Sequence, residues 1–207
     1  MVKNPMLTRR ALLTTAAAGF AVAALPIWAM PAQAQPSDAA GAFIDKLLHD
    51  LVSIVNSGDP VAQKQAALAQ IVDRDVDIGN VAQFCLGRFW RTATPAQKAD
   101  YTKLFHTVLL KNITGKVGDY KGVSFTVGRS VPREGAVAVS STVTRPGNAP
   151  NQVDWLVSTA SGSPKIIDVI AEGTSLRLTQ RSDYASFLSH NGDNVQALID
   201  AMRRQAG

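Results

Sequence analysis

The apolar residues of this chain change their period once, near Tyr120, and that switch limits the fold more than any other feature. Before it, Ile44, Leu47, Leu48, Leu51, Ile54 and Val55 recur at helical spacing until Gly58 ends the run. Asp59-Pro60 then predicts an N-cap and a first-turn proline for a short helix through Val72. A third helix is expected to start at Asp77 and to carry Val81, Phe84 and Leu86 toward Gly87. Thr94-Pro95-Ala96-Gln97 spells a capping box, in which Thr94 accepts a first-turn N–H and Gln97 reaches back. Behind it Tyr101, Leu104, Phe105, Val108, Leu109 and Ile113 form one apolar stripe on a long helix.

After Tyr120 the period is two. Val123, Phe125 and Val127 alternate with polar residues, as do Val137, Val139 and Val143, then Val153, Trp155 and Val157, with a last run at Ile166 to Ala171. Turn residues at Pro132 to Gly135, Pro146 to Pro150 and Gly162 to Pro164 separate the runs. These are four strands of an antiparallel sheet, whose apolar face needs the N-terminal helices and the long helix to cover it. The chain closes with a helix around Tyr184 to Leu188, a stop at Asn191-Gly192, and a helix carrying Val195, Leu198, Ile199 and Met202. The fold class is α+β.

Residues 1–34 read as an export signal. Thr8-Arg9-Arg10 precedes a weakly apolar run from Ala11 to Leu25, and Ala32-Gln33-Ala34 suits a signal peptidase, so a twin-arginine type of signal is expected, cleaved after Ala34, with the bacterial periplasm as destination. An uncleaved anchor is the rival reading, although Thr14, Thr15, Gly19 and Pro26 dilute its apolar run. Residues 35–207 then form a single domain, large enough to bury roughly 70% of the surface its unfolded form exposes. Without Lys3, Arg9 and Arg10 the formal charge of +5 shrinks to that of 18 basic against 16 acidic residues, too balanced for a nucleic-acid binder. The one cysteine, Cys85, excludes an internal disulfide; between Phe84 and Leu86 it reads as a buried small hydrophobe.

Machinery for catalysis is sparse. Asp73, Asp75 and Asp77 begin like a calcium loop, but the glycine falls at the seventh position and Phe84 stands where a bidentate Glu belongs, so no metal is expected. His49, His106 and His190 lack metal-type partners at i+4, and no phosphate loop or G-x-S-x-G turn is present. Asp168 and Glu172 are the one acidic pair placed where a cavity under the sheet could use a base; the competing reading is that Asp168 faces water or pairs with an arginine. From Arg88 to Arg133 nine basic residues face two acidic ones, a field suited to lipid phosphates or an acidic surface, or simply a solvated helix face.

Two segments go beyond patterning. Phe84-Cys85-Leu86-Gly87-Arg88-Phe89-Trp90-Arg91-Thr92-Ala93-Thr94-Pro95-Ala96-Gln97 and Asp168-Val169-Ile170-Ala171-Glu172-Gly173-Thr174-Ser175-Leu176 through Arg181 to Tyr184 resemble the MlaC, or toluene-tolerance, family of periplasmic phospholipid carriers. That family has an L-G-R-[YF]-W-R-x-A-[TS]-x-x-Q stretch entering a long helix and a D-V-x-x-E-G-x-S-L-x-x-x-x-R-x-x-[FY] stretch leaving the sheet. The chain departs from it at Gly162-Ser163-Pro164-Lys165, which lacks the family's tryptophan, and at Cys85, where valine is usual.

The resemblance implies an NTF2-like fold with a helical extension and an apolar cavity between sheet and helices. Lipid tails are expected against Phe84, Phe89, Trp90, Leu104, Phe105, Val108 and Leu109 from the helices. The strand side is expected to be Val123, Phe125, Val127, Val139, Val143, Trp155, Val157, Ile167 and Val169, with Arg88 and Arg91 contacting a head group or partner. It further implies a monomeric shuttle maintaining outer-membrane lipid asymmetry, without catalysis or cofactor, that docks to an outer-membrane lipoprotein complex and to an inner-membrane ABC transporter with an MCE-domain protein. A carrier of another apolar lipid, such as a hopanoid, and an NTF2-like enzyme using Asp168 or Glu172 as base are the alternatives.

Overall fold

The computed structural model describes residues 36–207, and the segment read as an export signal lies outside the described residues. Helix α1, Pro36–Asn56, presents Ala40, Ile44, Leu47, Leu48 and Val55 as one buried stripe. The side chain of Asn56 at its end accepts from the backbone N–H of Gly122 (2.7 Å) and donates to the carbonyl of Val123 (3.2 Å), pinning the helix to the start of the sheet. Helix α2, Val61–Asp75, starts one residue later than Asp59-Pro60 predicts: Pro60 occupies the cap position without a side-chain bond, and Asp59 donates its backbone N–H to Ser57 Oγ (3.3 Å). With Pro60 outside the first turn, Asp59 is one residue too distant to cap. Asp77 caps α3, Ile78–Leu86, by accepting from the N–H of Asn80 (3.0 Å).

A single turn, α4 (Phe89–Thr92), leads to α5, Pro95–Thr114. The capping box forms as the sequence predicts: Gln97 N–H donates to Thr94 Oγ1 (3.2 Å) and Thr94 N–H to Gln97 Oε1 (3.0 Å). A 3-10 turn at Val117–Tyr120 precedes the strands β1 (Ser124–Arg133), β2 (Ala136–Thr144), β3 (Asn151–Ser158), β4 (Lys165–Ala171) and β5 (Thr174–Ser175). They pair antiparallel in chain order. The sheet thus has five strands instead of four. Glu172 (φ 50°) and Gly173 (φ 78°) make the tight two-residue turn into β5, which is too short to show alternation.

Helix α6, Leu176–His190, begins eight residues before Tyr184. Ser175 caps it by accepting from Leu178 N–H (3.1 Å), and its first turn exposes Leu176 and Leu178, so no buried stripe announces it. Asn194 caps α7, Val195–Ala206.

Among the described residues two large apolar cores form, with a smaller cluster of Val55, Leu68, Val117 and Val123 beside them. In one, α1 lies across β1 and β2 and joins Ile71 of α2 to Val137, Val139, Val157 and Ile166. In the other, α3, α4, α5, α6 and α7 enclose Tyr101, whose hydroxyl donates to the Ala82 carbonyl (2.9 Å), with Phe89, Phe105, Tyr184, Leu188 and Ile199 around it. The expected cover of the sheet by α5 is corrected here: α5 packs chiefly on α7, α3 and α2. Its buried Tyr101 and Phe105 join the buried Val195, Leu198, Ile199 and Met202 stripe of α7, an apolar surface that needs cover as much as the sheet does.

Candidate functional site

The inner face of the sheet follows from period-two alternation and register. Val137 stands opposite Val157, Val139 opposite Trp155, Ser141 opposite Val153, and Trp155 opposite Val169. Ser141 is buried in this apolar layer, yet its hydroxyl donates to the Val153 carbonyl (3.2 Å) and accepts from Trp155 Nε1 (2.9 Å). These two polar groups satisfy each other, which leaves the layer apolar toward α1.

Gly41 of α1 lies close against β1. A Cβ there would stand 2.9 Å from Ser130 Oγ of β1, so a larger residue would have to turn that hydroxyl aside. The seam is closely packed: Val139 is fully buried, and at one end a hollow of about 120 Å³ is walled by Ala40, Gly135, Ala136, Val137, Val157 and Thr159. Pockets that engulf a drug-sized molecule hold about 300–1,000 Å³.

The residues expected to line a cavity fall on both cores. Val139 and Val157 are buried in the seam, with Phe125, Val127, Trp155 and Val169 half-buried against it. Val123 is buried in an adjoining cluster with Val55, Leu68 and Val117, against which Val143 packs. Phe89 and Phe105 belong to the helical core, and Phe84, Trp90, Leu104 and Leu109 pack on it from the side. Val108 is buried on α5. Ile167 is the extra residue of a bulge where β4 meets β3, buried but opposite no partner. In the seam's helical wall, Ile44, Leu47 and Leu48 are legible as a stripe in the sequence but not as a wall of the site, and Ala40 joins them only in the structure.

The two long motifs meet in space where α3 packs on α6 and β4. Asp168, 6% exposed, accepts from the N–H groups of Val169 (2.8 Å) and Arg177 (3.1 Å) and from Ser175 Oγ (2.6 Å). Arg177 Nε lies 3.4 Å from Oδ2, the oxygen that accepts from Ser175, close enough for ion pairing but too misaligned for a hydrogen bond. The carboxylate therefore holds the first turn of α6, and of the two readings of Asp168 the arginine pair is the one observed. Glu172 is an exposed turn residue. Phe84 lies under two guanidinium groups, 4.2 Å from Arg177 and 5.1 Å from Arg181. Gly87 (φ 60°) lets Arg181 lie flat beside it, for a Cβ would stand 3.1 Å from Arg181 Nε.

Burial, with the negative charge of Asp168 adding to it, pushes the Cys85 thiol from 9.0 up to about 12. Burial likewise raises the phenols of Tyr101 and Tyr184. An acid raised by folding ionises first in the unfolded chain, so unfolding releases protons and stability falls as the solution becomes more alkaline. For Cys85 that loss runs between 9.0 and about 12, and the urea midpoint is expected to fall across this window. Iodoacetamide at neutral pH should label Cys85 only after denaturation; rapid labelling of the native protein would contradict the burial.

The remaining candidates separate. Asp73 pairs with His106 (2.6 Å), Asp75 with Arg74 (2.7 Å) and Asp77 caps α3, so the three aspartates engage different partners. Among the described residues no group of three or more His, Cys, Asp or Glu is placed to hold a metal. His49 and His190 donate to carbonyls one turn earlier on their own helices. Asp73 and His106 also flank an open groove of about 320 Å³ with Val76, Ile78, Thr102 and Lys103. Arg88 lies over Phe89 (4.7 Å) and 3.5 Å from Asp193, while Arg91 is exposed. Among the described residues no helix is long and apolar enough to cross a membrane.

Residues 44–204 match the family model described as MlaC protein. The fold is similar to that of a phospholipid-binding protein from Ralstonia solanacearum solved in complex with a phospholipid: TM-score 0.70 at 23% identity, over 81% of this chain and 96% of that one.

Proposed function

Since the chain belongs to the MlaC family, we propose that it is a periplasmic carrier that takes the tails of a glycerophospholipid between α1 and the sheet and ferries the lipid between membrane-bound partners. The observation that carries this reading is the apolar seam, in which Ser141 and Trp155 turn their polar atoms on each other. The similar Ralstonia protein, solved with a phospholipid, supports it. In this reading the fold is NTF2-like with a helical extension, and the seam widens from its hollow of about 120 Å³ when α1 moves off the sheet.

The energetics suit a carrier. Moving about thirty methylenes from water into an apolar site would gain roughly 24 kcal/mol. That is beyond the non-covalent ceiling of about 18–21 kcal/mol. The working comparison is between bilayer and seam, both apolar, where the chain contributions nearly cancel and transfer can run either way. The carrier acts as a monomer, without catalysis or cofactor. It meets an outer-membrane lipoprotein complex and an inner-membrane ABC transporter with an MCE-domain protein, and so maintains outer-membrane lipid asymmetry.

The test is solvent extraction of the protein purified from the periplasm, followed by mass spectrometry. Stoichiometric phospholipid is expected; a hopanoid would redirect the reading to another lipid, and a protein free of lipid would overturn it. Val139→Trp, which fills the middle of the seam, is expected to lower bound lipid while costing about 1–3 kcal/mol of stability through overpacking.

A further inference from the structure

We propose that Arg177 and Arg181, one helical turn apart on α6 and both stacked on Phe84, form a binding site for a phosphate group, independent of the lipid seam. Successive residues of a strand point to opposite faces, so Asp168 and this arginine pair lie across β4 from Val169, which packs on the seam.

Charge at the α3–α6 joint is unbalanced. The guanidinium groups of Arg88, Arg177 and Arg181 gather around the segment Phe84 to Phe89, and two carboxylates answer them, Asp193 for Arg88 and Asp168 for Arg177. Asp168 is already occupied by two backbone N–H groups and Ser175 Oγ. Arg177 Nε is buried without a hydrogen-bond partner, and Arg181 makes no ion pair within 4.0 Å among the described residues. Like charges one turn apart repel. Stacking on Phe84 and the flat contact with Gly87 hold the two groups in place despite this, so the donors are oriented before any anion arrives. A phosphate group has the charge and the oxygens to accept from both planar forks, which a single point-charge partner could not do.

Such a phosphate could be a free ion or a lipid headgroup. Calorimetric titration of the protein with inorganic phosphate at low ionic strength should show saturable binding of one ion, weakened about tenfold or more in Arg181→Gln and unchanged in Arg203→Gln, an exposed arginine on α7. Dihexanoyl phosphatidylglycerol below its micelle concentration separates the sources: a parallel loss in Arg181→Gln identifies a headgroup, and a loss for inorganic phosphate alone identifies the free ion. Should Arg181→Gln fail to fold, the Nε–Hε NMR signals of Arg177 and Arg181 in the unaltered protein must shift on adding phosphate. Absence of saturable binding, equal affinity in Arg181→Gln, or unmoved arginine signals would overturn the site.

Discussion

Replacing Asp168 by alanine is expected to lower the unfolding free energy by about 3–5 kcal/mol, the cost of leaving a buried charge partner uncompensated. Three further donors lose their acceptor at once: the N–H groups of Val169 and Arg177 and the hydroxyl of Ser175. For a domain of this size the melting temperature should drop by about 6–20 °C. Asp168→Asn retains an acceptor and should cost less, about 1–3 kcal/mol. Thermal and urea unfolding of both variants check the order. The measurement also separates two roles for this carboxylate. A strut at the root of α6 predicts lost stability in both variants, whereas a catalytic base predicts a protein of ordinary stability that has lost turnover. A melting temperature within about 2 °C of the parent for Asp168→Ala would remove the strut, because that shift corresponds to less than 1 kcal/mol.

Asp168 also shows how far this fold can be read from sequence. Features set by neighbours in the chain were legible: the box of Thr94 and Gln97, the cap at Asp77 and the four alternating runs, whose last, Ile166 to Ala171, differs from β4 by one residue. Features set by partners far along the chain were not. The stripe of Leu104, Phe105 and Val108 and that of Ile44, Leu47 and Leu48 have the same helical period, so nothing local says which covers the sheet. The structure gives that role to α1, and the expected lining residues therefore scatter over separate clusters. The family motifs were legible as motifs, but not as two halves of one joint in which Phe84 and Gly87 receive arginines from α6. Gly41 was the overlooked clue. A glycine inside a helix costs about 0.5–1 kcal/mol relative to alanine, so its presence called for a close approach such as the one to Ser130.

That approach supplies a decisive test of the proposed cargo route. A Cβ at Gly41 would lie 2.9 Å from Ser130 Oγ, near the position a cysteine sulfur would take, and in a disulfide a Cβ lies about 3.0 Å from the far sulfur. Gly41→Cys with Ser130→Cys should therefore bridge α1 to β1 under oxidising conditions, while Cys85, buried with its thiol pushed up to about 12, stays out of the exchange. If tails enter by α1 moving off the sheet, protein oxidised before loading should take up about tenfold less phospholipid from vesicles, a penalty of about 1.4 kcal/mol. Dithiothreitol should restore uptake. Protein loaded first and oxidised afterwards should fail to bridge, because a lipid in the seam holds the two positions apart. The bridge itself is expected to stabilise the domain by about 2–4 kcal/mol, so a rise in melting temperature accompanied by lost uptake separates a clamp from damage to the fold. Equal uptake by oxidised and reduced protein would place the entry of the tails somewhere other than the α1–β1 edge. The thermodynamic reason for expecting the clamp to matter is the size of the hollow, about 120 Å³ against the about 300 Å³ at which engulfing pockets begin. A seam so closely packed would accommodate fatty chains only by displacing a wall, and α1 is a wall that meets β1 through a glycine.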